Sequence, residues 1–235
     1  FDDAGVDCLA EVDTPAFKVA SSEPTNLPLM KHIASKGKPV LLSTGMCDLA
    51  DIHEAIEVIY SEGNFDVALF QCTSLYPTEP RHSHLRAMDT LRAAFQVPVG
   101  LSDHTPGIQV SAAAVALGAC MIEKTLTLGR DLPGPDHSYA LEPHEFLDLV
   151  NAIRITEEAL GSPIKTLLPE EAEVARRDCL RAARDIKSGE VLTKEMLVAD
   201  RPALGGIRPR LIAAVIGRTA QADIIAGAPV TWNAI

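Results

Sequence analysis

From position 16 to position 160 the chain alternates short, continuous apolar runs with longer segments whose apolar residues recur every three or four positions. The short runs cover 16–20, 39–43, 67–72, 97–101 and 120–124, and their uninterrupted apolar character predicts strands buried on both faces. The longer segments predict helices over 27–35, 49–60, 84–95, 108–117 and 143–160. Asp48 stands where it can cap the second of these, and Pro143 sits where a first-turn proline is tolerated. Strict alternation of this kind implies an α/β fold with a parallel sheet covered by helices.

Two layouts satisfy that pattern, an open doubly wound sheet and a (β/α)8 TIM barrel. No strand is followed by G-x-G-x-x-G, which weakens the dinucleotide-binding form of the open sheet. The strands end instead in polar clusters: SSE at 21–23, STG at 43–45, CTS at 72–74, SDHT at 102–105 and EKT at 123–125. In a barrel these C-terminal ends converge on one mouth, whereas an open sheet strings them along an edge. The barrel is therefore expected. Five strands can be counted, or six if the opening residues are the remnant of one, and eight are needed. The chain also begins with Phe1 and not Met, so the first barrel strands are expected to lie in a longer protein.

The pattern changes after residue 160. Residues 1–160 are read as the partial barrel, 161–175 as a linker carrying Gly161, Pro163 and Pro169, and 176–235 as a small, mostly β domain. Within that domain DIKSGEVLT at 185–193 is echoed by DIIAGAPVT at 223–231, which suggests two pseudo-symmetric halves, each with a glycine turn. A module of that size is expected to need support from a partner domain or subunit.

Charge narrows the choice of partner. With 21 basic against 32 acidic residues the net charge is −11, and no basic block is present to track a phosphate backbone, which argues against nucleic acid. The five cysteines, Cys8, Cys47, Cys72, Cys120 and Cys179, are scattered and never spaced as CxxC, as expected in a reducing, cytoplasmic compartment. No run approaches the roughly 18 apolar residues of a membrane span.

Lys18 lies within the apolar strand FKVAS. A lysine facing the helix layer would be costly to bury unpaired, but one facing the mouth is a natural clamp for phosphate or carboxylate. Ser21, Ser43, Ser74 and Ser102 recur at strand ends and would ring it with hydroxyl donors. Each alone reads as a turn residue; the repetition is what points to a ligand. His104, flanked by Asp103 at the rim, is a candidate metal ligand or acid/base group. Glu23 and Asp136 are carboxylates in rim loops, suited to gripping sugar hydroxyls. His32, His53, His82, His84 and His144 are read as surface residues.

FKVASSE, LLSTGM, FQCTSLYPT, GLSDHTPG, IEKTLTL and LPGPDH followed by LEP occur in the order and spacing of the sialic acid synthase family, the N-acetylneuraminate synthases and their legionaminate relatives. The tail, with RDIKSGEVLT and DRPALGG, resembles that family's C-terminal antifreeze-like (SAF) domain. The resemblance runs over nearly the whole chain. It implies condensation of phosphoenolpyruvate with the open-chain aldehyde of an N-acetylated hexosamine, N-acetylmannosamine in the first instance. The products are a nine-carbon 2-keto acid and phosphate, and a divalent Mn²⁺ or Mg²⁺ is expected to polarise the aldehyde. The resemblance further implies that Lys18, Ser43 and Ser102, with Ser21 and Ser74 as weaker candidates, hold phosphoenolpyruvate. By the same token Glu23 and Asp136 hold the sugar, His104 binds metal and Tyr76 lines the pocket. It also implies a domain-swapped homodimer in which Arg201 reaches the N-acetyl group of the sugar in the partner's barrel.

Two departures stand out. The family reads EKH where this chain reads EKT, so Thr125 replaces a second metal-binding histidine and metal affinity is expected to be weakened. The family's first strands also supply a glutamate base and another phosphate-binding lysine, without which these 235 residues are expected to be inactive. The alternatives are a legionaminate-type synthase acting on a 2,4-diacetamido sugar and a catalytically impaired sugar-binding homologue.

Overall fold

A computed structural model describes residues 2–174, 177–203 and 205–235; Phe1, Ala175, Arg176 and Leu204, which fall in the FDDAG, EEAEVARR and DRPALGG stretches, lie outside them. The chain divides into two compact units, Phe1–Ser162 and Pro163–Ile235. Among the described residues no helix is long and apolar enough to cross a membrane.

In the first unit α1 (Asp3–Glu11) leads into β1 (Phe17–Val19), α2 (Leu27–Ala34), β2 (Val40–Ser43), α3 (Leu49–Ser61) and β3 (Val67–Cys72). There follow α4 (Ala87–Phe95), β4 (Val99–Asp103), α5 (Gln109–Ala116), β5 (Ile122–Lys124) and α6 (Pro143–Leu160). The start is helical, not the remnant of a strand: Asp2 caps α1 by accepting from Gly5 N at 2.8 Å. Asp48 caps α3 as expected and shares a reciprocal capping box with Asp51. β4 begins two residues later than the apolar run suggests, because Pro98 has no N–H to give a ladder. It then runs on through Ser102 and Asp103, which pair with Glu123 and Lys124. α4 starts at Ala87 instead of residue 84, because Pro80–His82 forms a 3-10 turn and His84 takes a left-handed φ of 43°.

The five strands form one parallel sheet in the order β1-β2-β3-β4-β5. A flat sheet would hold its outer strands about 19 Å apart, four spacings of about 4.8 Å each. That exceeds the combined reach of a lysine and a glutamate. Yet Lys18 Nζ on β1 lies 3.1 Å from Glu123 Oε2 on β5. The sheet is therefore curled into an arc, a TIM-like half-barrel and not an open doubly wound sheet.

Strand alternation and register assign each residue to a face. Lys18 pairs with Leu41, Ser43 with Phe70, Phe70 with Gly100, Cys72 with Ser102, and Ser102 with Glu123, so these share the concave face. Val19, Leu42, Leu69 and Leu101 take the convex face, where they form one core with Leu29, Met30, Ile33, Ile52, Ile59 and Met88 from the helices.

The second unit contains α7 (Pro169–Val174), an antiparallel pair β6 (Cys179–Ala182) and β7 (Leu197–Asp200), and the short α8 (Ile212–Val215). The sequence echo is realised as a reciprocal pairing. Ile186 and Ile224 exchange backbone hydrogen bonds at 2.8 Å in both directions. Asp185 accepts from Ala226 N at 2.7 Å, and Asp223, its counterpart, accepts from Ser188 N at 2.9 Å. Each half thus braces the other's turn. Gly189 and Gly227 hold the equivalent left-handed positions, with φ of 88° and 78°.

Leu42 is fully buried between sheet and helices. Leu42→Ala is expected to destabilise the first unit by about 2–5 kcal/mol, read as a lower denaturation midpoint with the slope unchanged.

Candidate active site

The polar strand ends gather at the C-terminal rim of the arc. Lys18 Nζ donates to Ser43 Oγ at 2.7 Å and to its neighbour's carbonyl, Val19 O, at 3.3 Å. Its ammonium lies 5.5 Å from the centre of the Phe70 ring, which floors the site. A Cβ on Gly100 would fall 3.0 Å from that ring and 2.6 Å from Met121 O, so the glycine is what leaves the ring its place. Gly45 N donates to Ser21 Oγ at 3.0 Å, and a Cβ on Gly45 would lie 2.4 Å from Ser74 Oγ and 2.8 Å from Ser21 Oγ. The STG turn therefore brings backbone N–H and two hydroxyls together where any larger residue would part them. Ser74 Oγ is buried, and the Tyr76 hydroxyl is beside it without the geometry of a hydrogen bond. Lys18, Ser21, Ser43 and Ser74 make a cradle of donors suited to an anion.

Ser102 reaches the same site through a residue the sequence reading passed over. Its Oγ donates to Glu123 Oε1 at 2.9 Å, and the other oxygen of that carboxylate faces Lys18. Residues adjacent in a strand face opposite ways, so in EKT Glu123 points into the arc while Lys124 points beneath the helices. That alternation was available in the sequence and is the signal that identifies Glu123.

SDHT divides in the same way. Ser102 faces the site, but Asp103 is not at the rim: it is buried on the convex side, where it faces Lys124 Nζ at 2.9 Å. The two side chains are 1% and 2% exposed. Asp103 also accepts from Ser111 Oγ at 2.6 Å, Thr105 Oγ1 at 2.8 Å and Thr105 N at 2.9 Å. Burial pushes the Lys124 ammonium below its ordinary value, and Asp103 pulls it back up. This pair ties β4, β5 and α5 together and plays no part in the concave site.

His104 packs edge-on against the Tyr76 ring, with centroids 4.4 Å apart, and its Nδ1 lies 3.9 Å from Cys72 Sγ. Burial holds the imidazole below the usual histidine value, with Glu123 the largest opposing influence. The group is therefore kept neutral. Burial also raises the Tyr76 hydroxyl, and Cys72, Asp136 and Glu123 add to the rise. Asp136 is exposed and accepts from Tyr139 Oη at 2.7 Å. Glu23 accepts from Ser22 Oγ at 2.8 Å and, with Lys18, lines a groove beside α1, β1 and α2. Arg201 belongs to the second unit, where its carbonyl accepts from Arg181 Nε at 3.0 Å and its own side chain is exposed. The Cys47 thiol is pushed up to about 11, chiefly by burial and then by Asp51 and Asp48, which leaves it protonated and a poor nucleophile.

A divalent metal fits these residues poorly. Among the described residues no three His, Cys, Asp or Glu side chains are grouped to hold one. Thr125, which the sequence shows in place of a second metal-binding histidine, lies against Tyr139, whose hydroxyl is driven up to about 12 mainly by burial and Asp136 and eased by that threonine. A neutral hydroxyl is a weak ligand beside imidazole.

A family model described as the NeuB family matches residues 1–165, and one described as the SAF domain matches residues 177–235. The chain belongs to the NeuB family and carries a C-terminal SAF domain. It is 41% identical over 243 residues to the N,N'-diacetyllegionaminic acid synthase of Legionella pneumophila, a match covering 100% of this chain and 67% of that protein. Its identity to the Campylobacter jejuni protein of the same name is 44% over 209 residues, covering 87% and 63%. The crystal structure of the spore coat polysaccharide biosynthesis protein SpsE from Bacillus subtilis is 34% identical, with a TM-score of 0.65, covering 100% of this chain and 71% of that one. The chain thus spans about two thirds of the length of these curated relatives.

Two outcomes are expected. Lys124→Met, which strands the Asp103 carboxylate, should cost about 3–5 kcal/mol in chemical denaturation, while Lys124→Met with Asp103→Leu should cost less than the single change. Thr125→His should tighten Mn²⁺ binding by roughly tenfold or more in calorimetric titration, since imidazole replaces a hydroxyl at that place.

Proposed function

We propose that this protein acts in the condensation of phosphoenolpyruvate with the open-chain aldehyde of an N-acetylated hexosamine, giving a nine-carbon 2-keto sugar acid and phosphate. The observation that carries the proposal is the cradle at the strand ends: one ammonium, a backbone N–H and several hydroxyls converge where a C-terminal barrel rim would hold a phosphate. Membership of the NeuB family supports it.

Each residue then has a task. Lys18 neutralises the anionic substrate, and Ser43, Ser21, Ser74 and Ser102 orient its oxygens by donating to them. Enolpyruvate C3 attacks the aldehyde carbon, water adds at C2, and phosphate leaves with its bridging oxygen as the C–O bond breaks. Tyr76 and Phe70 keep water off the reacting carbons, and neutral His104 offers a ring nitrogen toward the aldehyde end. Glu23 and Asp136 hold the sugar hydroxyls, and Arg201, from the SAF domain of a second copy in a swapped homodimer, takes the N-acetyl carbonyl. A divalent Mn²⁺ or Mg²⁺, when bound, would polarise the aldehyde, but Thr125 leaves His104 without a second imidazole to help hold it. The reaction is placed in the cytoplasm, where phosphoenolpyruvate is available.

N-acetylmannosamine is the first candidate sugar. The second reading is a 2,4-diacetamido sugar, favoured by the names of the two curated relatives. Phosphate release from phosphoenolpyruvate by the full-length gene product should depend on sugar, measured with each sugar in turn and with Mn²⁺ or EDTA. Release with only the diacetamido sugar selects the second reading. Sugar binding without release from either would refute the synthase and leave a sugar-binding homologue.

A further inference from the structure

The two side chains best placed to grip a phosphate, Lys18 from the first strand and Ser102 from the fourth, are both occupied, and by one carboxylate. Glu123 Oε2 lies 3.1 Å from Lys18 Nζ, and Glu123 Oε1 accepts from Ser102 Oγ at 2.9 Å. A carboxylate that bridges an ammonium and a hydroxyl with its two oxygens presents the same pattern as two oxygens of a phosphate. We propose that Glu123 is an internal anion that holds the cradle assembled while it is empty, and that the phosphoryl group of the substrate binds by displacing it. The inference deepens the synthase reading and rests on it.

Three features make Glu123 a displaceable group and not a fixed strut. Its side chain is 40% exposed and that of Lys18 is 32% exposed, so parting them strands neither charge in a dry interior, unlike the Asp103–Lys124 pair. Lys18 keeps Ser43 Oγ at 2.7 Å and the Phe70 ring at 5.5 Å when Glu123 leaves, so the clamp stays aimed. Glu123 is the middle residue of the three-residue β5, and a change of its side-chain torsion moves the carboxylate without disturbing the backbone ladder to Ser102. The consequence concerns affinity. An incoming anion has to overcome the attraction of Lys18 for Glu123 and the repulsion of the carboxylate, so Glu123 lowers affinity for phosphate and favours its departure once the C–O bond has broken.

The test is binding, which needs no turnover. Inorganic phosphate and phosphoenolpyruvate are titrated by calorimetry into the full-length protein, unaltered and carrying Glu123→Gln, Glu123→Asp or Lys18→Met, with thermal melts to check folding. Glu123→Gln should bind inorganic phosphate roughly tenfold more tightly, Glu123→Asp should fall between it and the unaltered chain, and Lys18→Met should lose binding. If the unaltered chain binds phosphate and Glu123→Gln binds it equally or less well, Glu123 is not a stand-in, while the cradle survives. If no folded form binds phosphate, the cradle itself is misassigned and both readings fall.

Discussion

A lysine on the first strand of the sheet touches a glutamate on the fifth, and most of what is distinctive in the first unit depends on that contact being possible. It requires a sheet curled tightly enough for its outer strands to face one another. The apolar residues on the convex face, buried under the helices, supply the driving force for that curvature, and their polar neighbours are carried onto the concave face by alternation alone. Once the sheet is curled, five polar strand ends that are far apart in sequence share one mouth. The cradle of Lys18, Ser21, Ser43 and Ser74 is a product of this geometry, and no single segment contains it.

The first unit holds two lysine–carboxylate pairs that involve adjacent residues, and their environments give them opposite characters. Asp103 and Lys124 are sealed beneath α5, and the carboxylate has three further donors. Such a pair is costly to desolvate and costly to break, so it specifies the junction of β4, β5 and α5 without needing to move. Lys18 and Glu123 are partly open to water, so the same chemistry there is weakly held and exchangeable. The one-residue offset between Glu123 and Lys124 separates a binding function from a structural one.

The second unit solves a different problem. With a core of few buried side chains, such as Leu180, Ile186, Leu192, Ile224 and Val230, it has less apolar burial to stabilise it than a larger domain. Its two halves compensate by exchanging hydrogen bonds in pairs, through the backbones of Ile186 and Ile224 and through the carboxylates of Asp185 and Asp223.

The sequence by itself determined the order of strands and helices and the family, and it offered the serine and lysine candidates and a change of pattern after residue 160, because apolar periodicity and short motifs are local properties. It also contained the echo of DIKSGEVLT in DIIAGAPVT, though not that each copy's aspartate braces the other's turn. Two local features depart from the sequence pattern: Pro98 starts β4 late, and Asp3–Glu11 is a capped helix and not the remnant of a strand. The tertiary structure alone decided that Asp103 leaves the rim for the helix layer and that Glu123 joins Lys18 to Ser102. It also set Thr125 against Tyr139. The reason is physical: which partner a charged side chain meets depends on the curvature and register of strands more than a hundred residues apart, and neither is encoded in any one stretch of the chain.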